Sequence, residues 1–439
     1  MKNNYLLALL SAILLWLAWP PIPYSGILLT VAFVPLLFAI ERIMRSKEAK
    51  KGKKVFWTAF LTAFVWNTAS IYWVYNAMSA FLPWYIAILI SLIPFGLAPL
   101  LMATVFRLYY QLRKKRAIGL SFMGLVSLWI GYEYLHQWWS LAFPWMTLGN
   151  GFANAHQLVQ WYSYTGVYGG TLWIWLCNGL FFLLLWQWKQ KQVAISQLKL
   201  SLAAALILLA PIGISLYMYH SFEEHANPSE VVVVQPNIDP YGKFGHISPE
   251  EQLRTLIQLS NSVGKANTEF FIWPETAISS RSGIDEEEFR SHSIYTQVST
   301  FLDQYKNGNV LSGIESYALY PDAKTITARP YGNQFMDNFN AAVLIDNSSK
   351  LQFYHKSKLV PGVEQLPFSQ ALGFMKPLFA QFGGTTGGYG SQEEASVFYA
   401  QSGIGAAPVI CYESIWGNYV ADYVKQGAQF IAVVTNDGW

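Results

Sequence analysis

Seven apolar stretches fill the first 220 residues, at 5–19, 26–40, 55–78, 84–109, 119–135, 170–188 and 198–219, and nothing after them resembles them. A helix needs about 20 apolar residues to cross the hydrocarbon core of a bilayer. Residues 1–220 are therefore expected to form a multi-span α-helical membrane bundle of about seven helices. The first two stretches are short, ending in Trp19-Pro20-Pro21 and Glu41-Arg42, and are expected to be tilted or partly interfacial. Lys2 and a Leu-rich run give the first stretch the look of a signal peptide. Ala18-Trp19-Pro20-Pro21 makes a poor small-residue cleavage site, however, so the stretch is expected to be retained. Composition agrees with a membrane protein: 53% of residues are hydrophobic and only 13% charged, against about 25% charged in soluble domains. A net charge of +3, with no basic stripe interleaved with aromatics, gives no case for nucleic acid.

The loops carry an orientation. Arg42, Arg45, Lys47, Lys50, Lys51, Lys53 and Lys54 crowd the second connection, Arg107 and Arg113 to Arg116 follow the fourth stretch, and Lys189, Lys191 and Lys199 flank the sixth connection. The alternate loops, 20–25, 79–83 and 136–168, are almost free of Lys and Arg. The positive-inside rule then makes the amino terminus and the even connections cytoplasmic. Seven crossings would deliver everything after His220 to the outer side. Within the bundle, Asn67, Glu133 and His136 stand out as polar residues, with Glu133 readable as a network member or a substrate contact. The aromatic, glycine-containing segments 143–150 and 160–169 suggest a re-entrant or interfacial floor.

Composition changes at 221–229, a polar linker containing Pro228, and residues 230–439 read as an α/β domain. The β-branched run at 230–235 suits a strand buried on both faces. Ser248-Pro249-Glu250-Glu251 is a helix start with cap, first-turn proline and capping-box glutamate, and the helix should run to about Val263. Further strands are expected at 270–273, 310–314, 340–345, 351–354, 396–399, 407–410 and 430–434, with a helix at 285–305. Asp346 to Ser349 reads as a hairpin turn. Strands mixed with helices and hairpins suggest layered sheets covered by helices. The apolar segment 368–382 is either a lipid-touching loop or a core helix. The glycine-rich 383–390 lacks the Gly-Lys-Ser/Thr of a phosphate loop and reads as a hinge.

Three of these strands end in an ionisable residue: Trp273-Pro274-Glu275, Tyr354-His355-Lys356 and Ile410-Cys411. Cys411 is expected at a strand-to-helix turn, with the helix running from Ser414 to Lys425 and its positive end favouring the thiolate. Glu413 is expected as a hydrogen-bonding partner nearby. A thiol needs a base to become a good nucleophile. Glu275 can take its proton, and Lys356 can stabilise the oxyanion that attack creates. Taken singly, each residue has a structural reading: surface Glu, surface Lys, small buried Cys. Cys177 lies in an apolar stretch, so a disulfide with Cys411 is not expected.

Glu, Lys and Cys in this order and setting resemble the nitrilase superfamily, whose αββα sandwich carries such a triad. Placed behind a membrane bundle, they resemble its membrane-fused branch, the apolipoprotein N-acyltransferases. The resemblance rests on Val234-Gln235-Pro236-Asn237, the three strand ends above, Leu359-Val360-Pro361 with Glu364, Cys411-Tyr412-Glu413 and Thr435-Asn436-Asp437-Gly438-Trp439. In the membrane half it rests on Phe143-Pro144-Trp145, Leu148-Gly149 and Gly166 to Gly169. One departure is Leu359 to Gly362, where the family more often has Phe-Gly before the glutamate.

The resemblance implies Glu275 as general base, Lys356 as oxyanion stabiliser, Cys411 as nucleophile and Glu364 as a second, orienting acid. Tyr412 and Glu413 would support the nucleophile turn, and Asn340 is a further candidate for a polar contact. It implies a two-step transfer of a fatty acyl chain from a phospholipid donor, through a Cys thioester, to the α-amino group of a diacylglyceryl apolipoprotein acceptor. The enzyme would act as a monomer in the bacterial inner membrane, with its catalytic domain on the outer, periplasmic side and no cofactor or metal. Because the family continues past the Thr435 motif with more strands and another span, residues 230–439 are expected to be incomplete at their carboxy end. A membrane-tethered amidase using water as acceptor is the enzymatic alternative, and a transporter or lipid-binding scaffold the non-enzymatic one.

Overall fold

The computed structural model describes residues 2–80, 82–190, 194–224, 228–239, 247–280, 283–348, 350–368 and 388–436. The chain divides into two compact units, Met1–Glu224 and His225–Trp439.

The first unit is helical. Its helices are α1 (Lys2–Leu17), α2 (Leu29–Ala32), α3 (Val34–Arg45), α4 (Lys51–Ser70), α5 (Trp73–Ser79), α6 (Trp84–Arg113), α7 (Ile118–Leu135), α8 (Tyr162–Lys189) and α9 (Ala194–Ser221). Among the described residues, five segments are long and apolar enough to cross a membrane: Ser25–Arg45, Trp84–Arg113, Ile118–Leu135, Tyr162–Lys189 and Ser196–Ser221. α1 is apolar but shorter, and α4 carries three lysines in its first turn. The stretch at 55–78 is not one helix: α4 stops at Ser70 and α5 starts at Trp73. The break follows Asn67, Thr68 and Ser70, all residue types of low helix propensity.

Away from water, backbone groups freed by such breaks need partners inside the protein. Asn178 of α8 serves the interruption between α2 and α3. Its Oδ1 accepts from Phe33 N at 2.8 Å, while its Nδ2 donates to Leu29 O at 2.7 Å and Ile174 O at 2.8 Å. Pro99 has no N–H for the carbonyl of Phe95, four residues earlier in α6. Asn67 Nδ2 lies 3.4 Å from that carbonyl and 3.0 Å from Pro94 O. The floor between α7 and α8 is two 3-10 segments, Pro144–Met146 and Leu148–Leu158. Buried Glu133 holds it: Oε1 accepts from Trp129 Nε1 (2.8 Å) and Leu148 N (2.9 Å), and Oε2 from Thr171 Oγ1 (2.7 Å). Glu133 is thus a network member.

The second unit contains β1 (Glu230–Val233), α10 (Pro249–Val263), β2 (Thr268–Ile272), α11 (Ser293–Leu302), β3 (Asn309–Tyr320), β4 (Arg329–Tyr331), β5 (Gln334–Asp346), β6 (Gln352–His355), β7 (Phe398–Tyr399), β8 (Gly405–Ile410), α12 (Gly417–Lys425) and β9 (Phe430–Val434). Ser248 caps α10, its side chain accepting from Glu251 N at 3.2 Å. One sheet runs β1-β2-β3-β5-β4 with β6 also on β5, and the other runs β7-β8-β9. β1-β2-β3 are parallel, while β3, β5 and β6 are antiparallel. The two faces of β2 show the layering. Phe271 joins Leu253 and Leu256 of α10 and Val298 and Phe301 of α11 in one core, whereas Phe270 packs edge-on against Phe430 of β9 with ring centroids 4.9 Å apart. α12 lies against β8. The layers are helix, sheet, sheet, helix.

Three local expectations change. The helix expected at 285–305 is α11 alone, preceded by a 3-10 turn at Phe289–Ser291. Asp285 and Tyr317 instead form a bridge that ties the lead-in to β3. β1 is an edge strand with Val232 buried but Val231 and Val233 exposed, because its other face has no covering layer among the described residues. The long hairpin arms of β3 and β5 extend well past the apolar runs that announced them, since strand pairing continues through polar residues such as Glu315 and Asn338. The apolar segment 369–382, the glycine run 383–387 and the end of the Thr435 motif lie outside the described residues.

Candidate active site

Glu275, Lys356 and Cys411 each sit where a strand stops. After β2, Trp273 is buried, with its Nε1 donating to Ser260 Oγ at 3.0 Å and its N to Leu311 O at 2.9 Å. The chain then turns through Pro274, Glu275 and Thr276, the last at φ 46°. Gly313 of β3 presses on this turn: a Cβ there would lie 2.5 Å from both Glu275 Cα and Thr276 N. Only glycine lets the strand approach so closely. Gly313 N donates to Pro274 O at 3.1 Å, and Gly313 O accepts from Ile278 N at 3.0 Å.

After β6, Lys356 N donates to Asn340 O at 2.9 Å, and the lysine side chain is only 1% exposed. Its Nζ lies 2.9 Å from Glu364 Oε1 and 3.4 Å from Glu275 Oε1. Asn340 Nδ2 donates to the same two oxygens, at 2.8 Å to Glu275 and 2.7 Å to Glu364. One oxygen of each carboxylate therefore takes a lysine and an amide donor. The other oxygen of Glu364 accepts from Val360 N at 2.7 Å, and Tyr389 N donates to the Glu364 carbonyl at 3.0 Å. Burial pushes the Lys356 ammonium down, but Glu364 and Glu275 outweigh it and hold the lysine above its ordinary value. The two carboxylates thus favour the charged form of Lys356.

Cys411 follows β8 with φ 45°, a left-handed conformation that a residue with a Cβ adopts under strain. Cys411–Ile415 form a 3-10 turn and α12 begins only at Gly417, so the cysteine does not cap an α-helix. The expected thiolate is corrected accordingly. Burial and the charge of Glu275 push the thiol up to about 12, against the opposing pull of Lys356 and a hydrogen bond with Thr435. At neutral pH the resting group is a protonated thiol.

Glu413 does not partner Cys411. Fully buried, it accepts at Oε1 from Tyr354 Oη (2.5 Å) and Ser357 N (2.6 Å), and at Oε2 from Ile410 N (2.9 Å). It staples the nucleophile turn to the strand and loop that carry Lys356. Burial raises its carboxyl above the usual range, and those donors oppose the rise. Tyr419 of α12 closes the network by hydrogen bonding to Tyr354 Oη at 2.8 Å and to Ser357 Oγ. Tyr412 is buried edge-on against Trp416, with centroids 4.7 Å apart.

The structure thus gathers Glu275, Lys356, Glu364 and Asn340 into one hydrogen-bonded cluster, sets Cys411 in its field, and places Tyr412 and Glu413 beside the turn. Gly313, Tyr354, Ser357, Tyr419 and Thr435 were missed as positioning groups. A glycine inside an apolar strand was the one available signal, for Gly313. Among the described residues, no group of three or more His, Cys, Asp or Glu is placed to hold a metal ion. A buried cation, two carboxylates and a thiol can add a sulfur to a carbonyl and stabilise the oxyanion formed.

Residues 230–439 match the carbon-nitrogen hydrolase family, so the second unit is a carbon-nitrogen hydrolase domain. Residues 11–180 match the apolipoprotein N-acyltransferase N-terminal domain. An apolipoprotein N-acyltransferase of Chlorobaculum tepidum is 28% identical over all of this chain and 80% of its own length. One of Geobacter metallireducens is 26% identical over all of this chain and 78% of its own. A solved CN-hydrolase superfamily protein of Xanthomonas campestris aligns with 39% of this chain and 51% of its own at 14% identity, with a TM-score of 0.25. The chain resembles the apolipoprotein N-acyltransferases along its whole length. That resemblance and the hydrolase domain support an acyltransferase of the bacterial membrane.

The protonated resting thiol makes a pH prediction. Alkylation of Cys411 by iodoacetamide, followed by peptide mass analysis, should be slow at pH 7 and still rising at pH 10, because only the thiolate reacts. A plateau below pH 8 would mean an activated resting thiolate and contradict the burial argument.

Proposed function

We propose that this chain transfers a fatty acyl chain from a membrane phospholipid to the α-amino group of a diacylglyceryl-cysteine on an apolipoprotein, through a thioester on Cys411. The observation that carries the reading is the buried cation of Lys356 held between Glu275 and Glu364, with the Cys411 thiol in the same field. A protonated thiol requires a general base, and Glu275 is the candidate.

In the first step Glu275 takes the thiol proton as sulfur attacks the ester carbonyl, and Lys356 stabilises the oxyanion. Collapse of the intermediate breaks the ester C–O bond, and the lysophospholipid leaves with the proton that Glu275 returns. In the second step the acceptor amine attacks the thioester, Glu275 takes the amine proton, and Cys411 leaves and is reprotonated. Glu364 and Asn340 position Glu275 and Lys356 throughout. One chain contributes every one of these groups, which supports a monomer as the working unit. Both substrates are anchored in lipid, which gives the helical unit its purpose.

The orientation is part of the proposal. The Lys and Arg of the 41–54 and 107–116 connections favour the cytoplasm. With α1 and α4 crossing beside the five longer segments, the hydrolase domain emerges on the outer face. A single cysteine introduced near Lys51 should react with an impermeant thiol reagent only in broken cells, and one near Glu224 in intact spheroplasts. Labelling of both from the same side contradicts this topology.

The chemistry is tested by intact-mass analysis of the purified chain after exposure to phospholipid. The wild type should gain one acyl mass that hydroxylamine removes, and Cys411→Ala should gain none. Glu275→Gln and Lys356→Met should each slow the gain by a factor on the order of 100 or more, given about 3 kcal/mol for one good oxyanion donor. A diacylglyceryl-cysteine peptide should discharge the adduct and carry the acyl mass away. An adduct retained in Cys411→Ala sinks the nucleophile assignment. Discharge to free fatty acid alone would replace the transferase with a hydrolase.

A further inference from the structure

At the end of the helical unit that bears the 41–54 loop, a cavity of ≈ 500 Å³ opens between the first turn of α4 and the last turns of α6. Five cations line it: Lys50, Lys51, Lys53, Arg107 and Lys114. Glu48 is the one carboxylate there, and Lys54 already pairs with it at 2.7 Å. Among the described residues, none of the five lining cations forms an ion pair. The arrangement works against the protein's own electrostatics. Lys50 caps α4 in the left-handed region at φ 55°, no side chain caps that end, and its first turn holds no acidic residue. Cations at a helix amino terminus oppose the macrodipole. Positive-inside loading accounts for lysines in this loop, but not for their convergence with α6 around one cavity.

Gly52 shows that the convergence is built. A Cβ on Gly52 would lie 1.3 Å from Arg107 Nη1 and 2.8 Å from Tyr110 Cε1. Only glycine lets the guanidinium lie across the α4 backbone while it stacks over Tyr110 at 5.4 Å. Depth identifies the anion. Starting at Trp84, about 20 residues of α6 cross the hydrocarbon core, so Arg107 falls just beyond it. The apolar part of α4 begins at Val55. The cavity sits at headgroup level. We propose that it binds the phosphodiester headgroup of an anionic phospholipid, a site separate from the acyl-transfer cluster. Basic pockets between membrane helices recognise such headgroups in general.

The test uses the full chain in detergent micelles doped with equal amounts of phosphatidylglycerol and phosphatidylcholine, with retained lipid read by native mass spectrometry. Wild type should retain phosphatidylglycerol in preference to phosphatidylcholine. Lys50→Gln combined with Lys53→Gln, both exposed positions, should weaken that retention by a factor on the order of 30. Gly52→Val should weaken it as well by displacing Arg107, while the exposed Lys115→Gln should leave it unchanged. Circular dichroism of each variant checks that the helices are intact. Equal retention by wild type and the double variant overturns the site. So does equal retention of the two lipids. Displacement of phosphatidylglycerol by inorganic phosphate at equal concentration would show a free-phosphate site and overturn the lipid assignment.

Discussion

One buried ammonium organises the catalytic half of this chain. Lys356 is 1% exposed and sits between Glu275 and Glu364. An isolated buried charge is strongly unfavourable, and two neighbouring carboxylates without a cation would repel each other. Each charge therefore makes the others tolerable. The cluster also fixes geometry, because its members come from the ends of β2 and β6, from β5, and from the 360–365 turn. Asn340 shares both acceptor oxygens with the lysine, so neither carboxylate can rotate away without losing two donors. Burying such groups is weak as a source of stability and strong as a means of fixing one arrangement.

The cysteine is fixed by a second device. Glu413 bonds the Ile410 amide on the nucleophile side and the Ser357 amide on the lysine side. Strain at Cys411 (φ 45°) is held in place by that staple. The combination leaves a buried thiol, raised by burial and by the charge of Glu275, at a fixed place in the field of the cluster. The helical unit follows the same logic on a smaller scale. Asn178, Asn67 and Glu133 each supply partners for backbone groups that a break, a proline or a 3-10 turn has freed.

Much of this was legible in the residues, and the reasons for the rest are physical. Apolar length gave the helical half. The strand ends made Glu275, Lys356 and Cys411 candidates only in combination, because each taken singly has an ordinary structural reading. The break at Ile71 and Tyr72 was hidden inside an apolar stretch, since hydropathy does not register weak helix formers. The direction of Glu413 was invisible because neighbours in sequence point to opposite sides of a tight turn. The role of Asn340 depends on a register, Glu315 opposite Asn340 across β3 and β5, that no local pattern encodes. The length of the helix after Cys411 was overestimated, and with it the dipole argument for a thiolate.

The central claim is that Lys356 holds the two carboxylates in place and that acyl transfer depends on it. The direct measurement is chemical unfolding of the full chain as wild type, Lys356→Met, and Lys356→Met with Glu364→Gln. Breaking a buried ion pair from one side should destabilise Lys356→Met by about 3–5 kcal/mol. Removing the charge of Glu364 should recover a large part of that loss, and both variants should form the acyl adduct slower than wild type by a factor on the order of 100 or more. Equal stability of Lys356→Met and wild type, or no recovery in the double variant, would contradict the account.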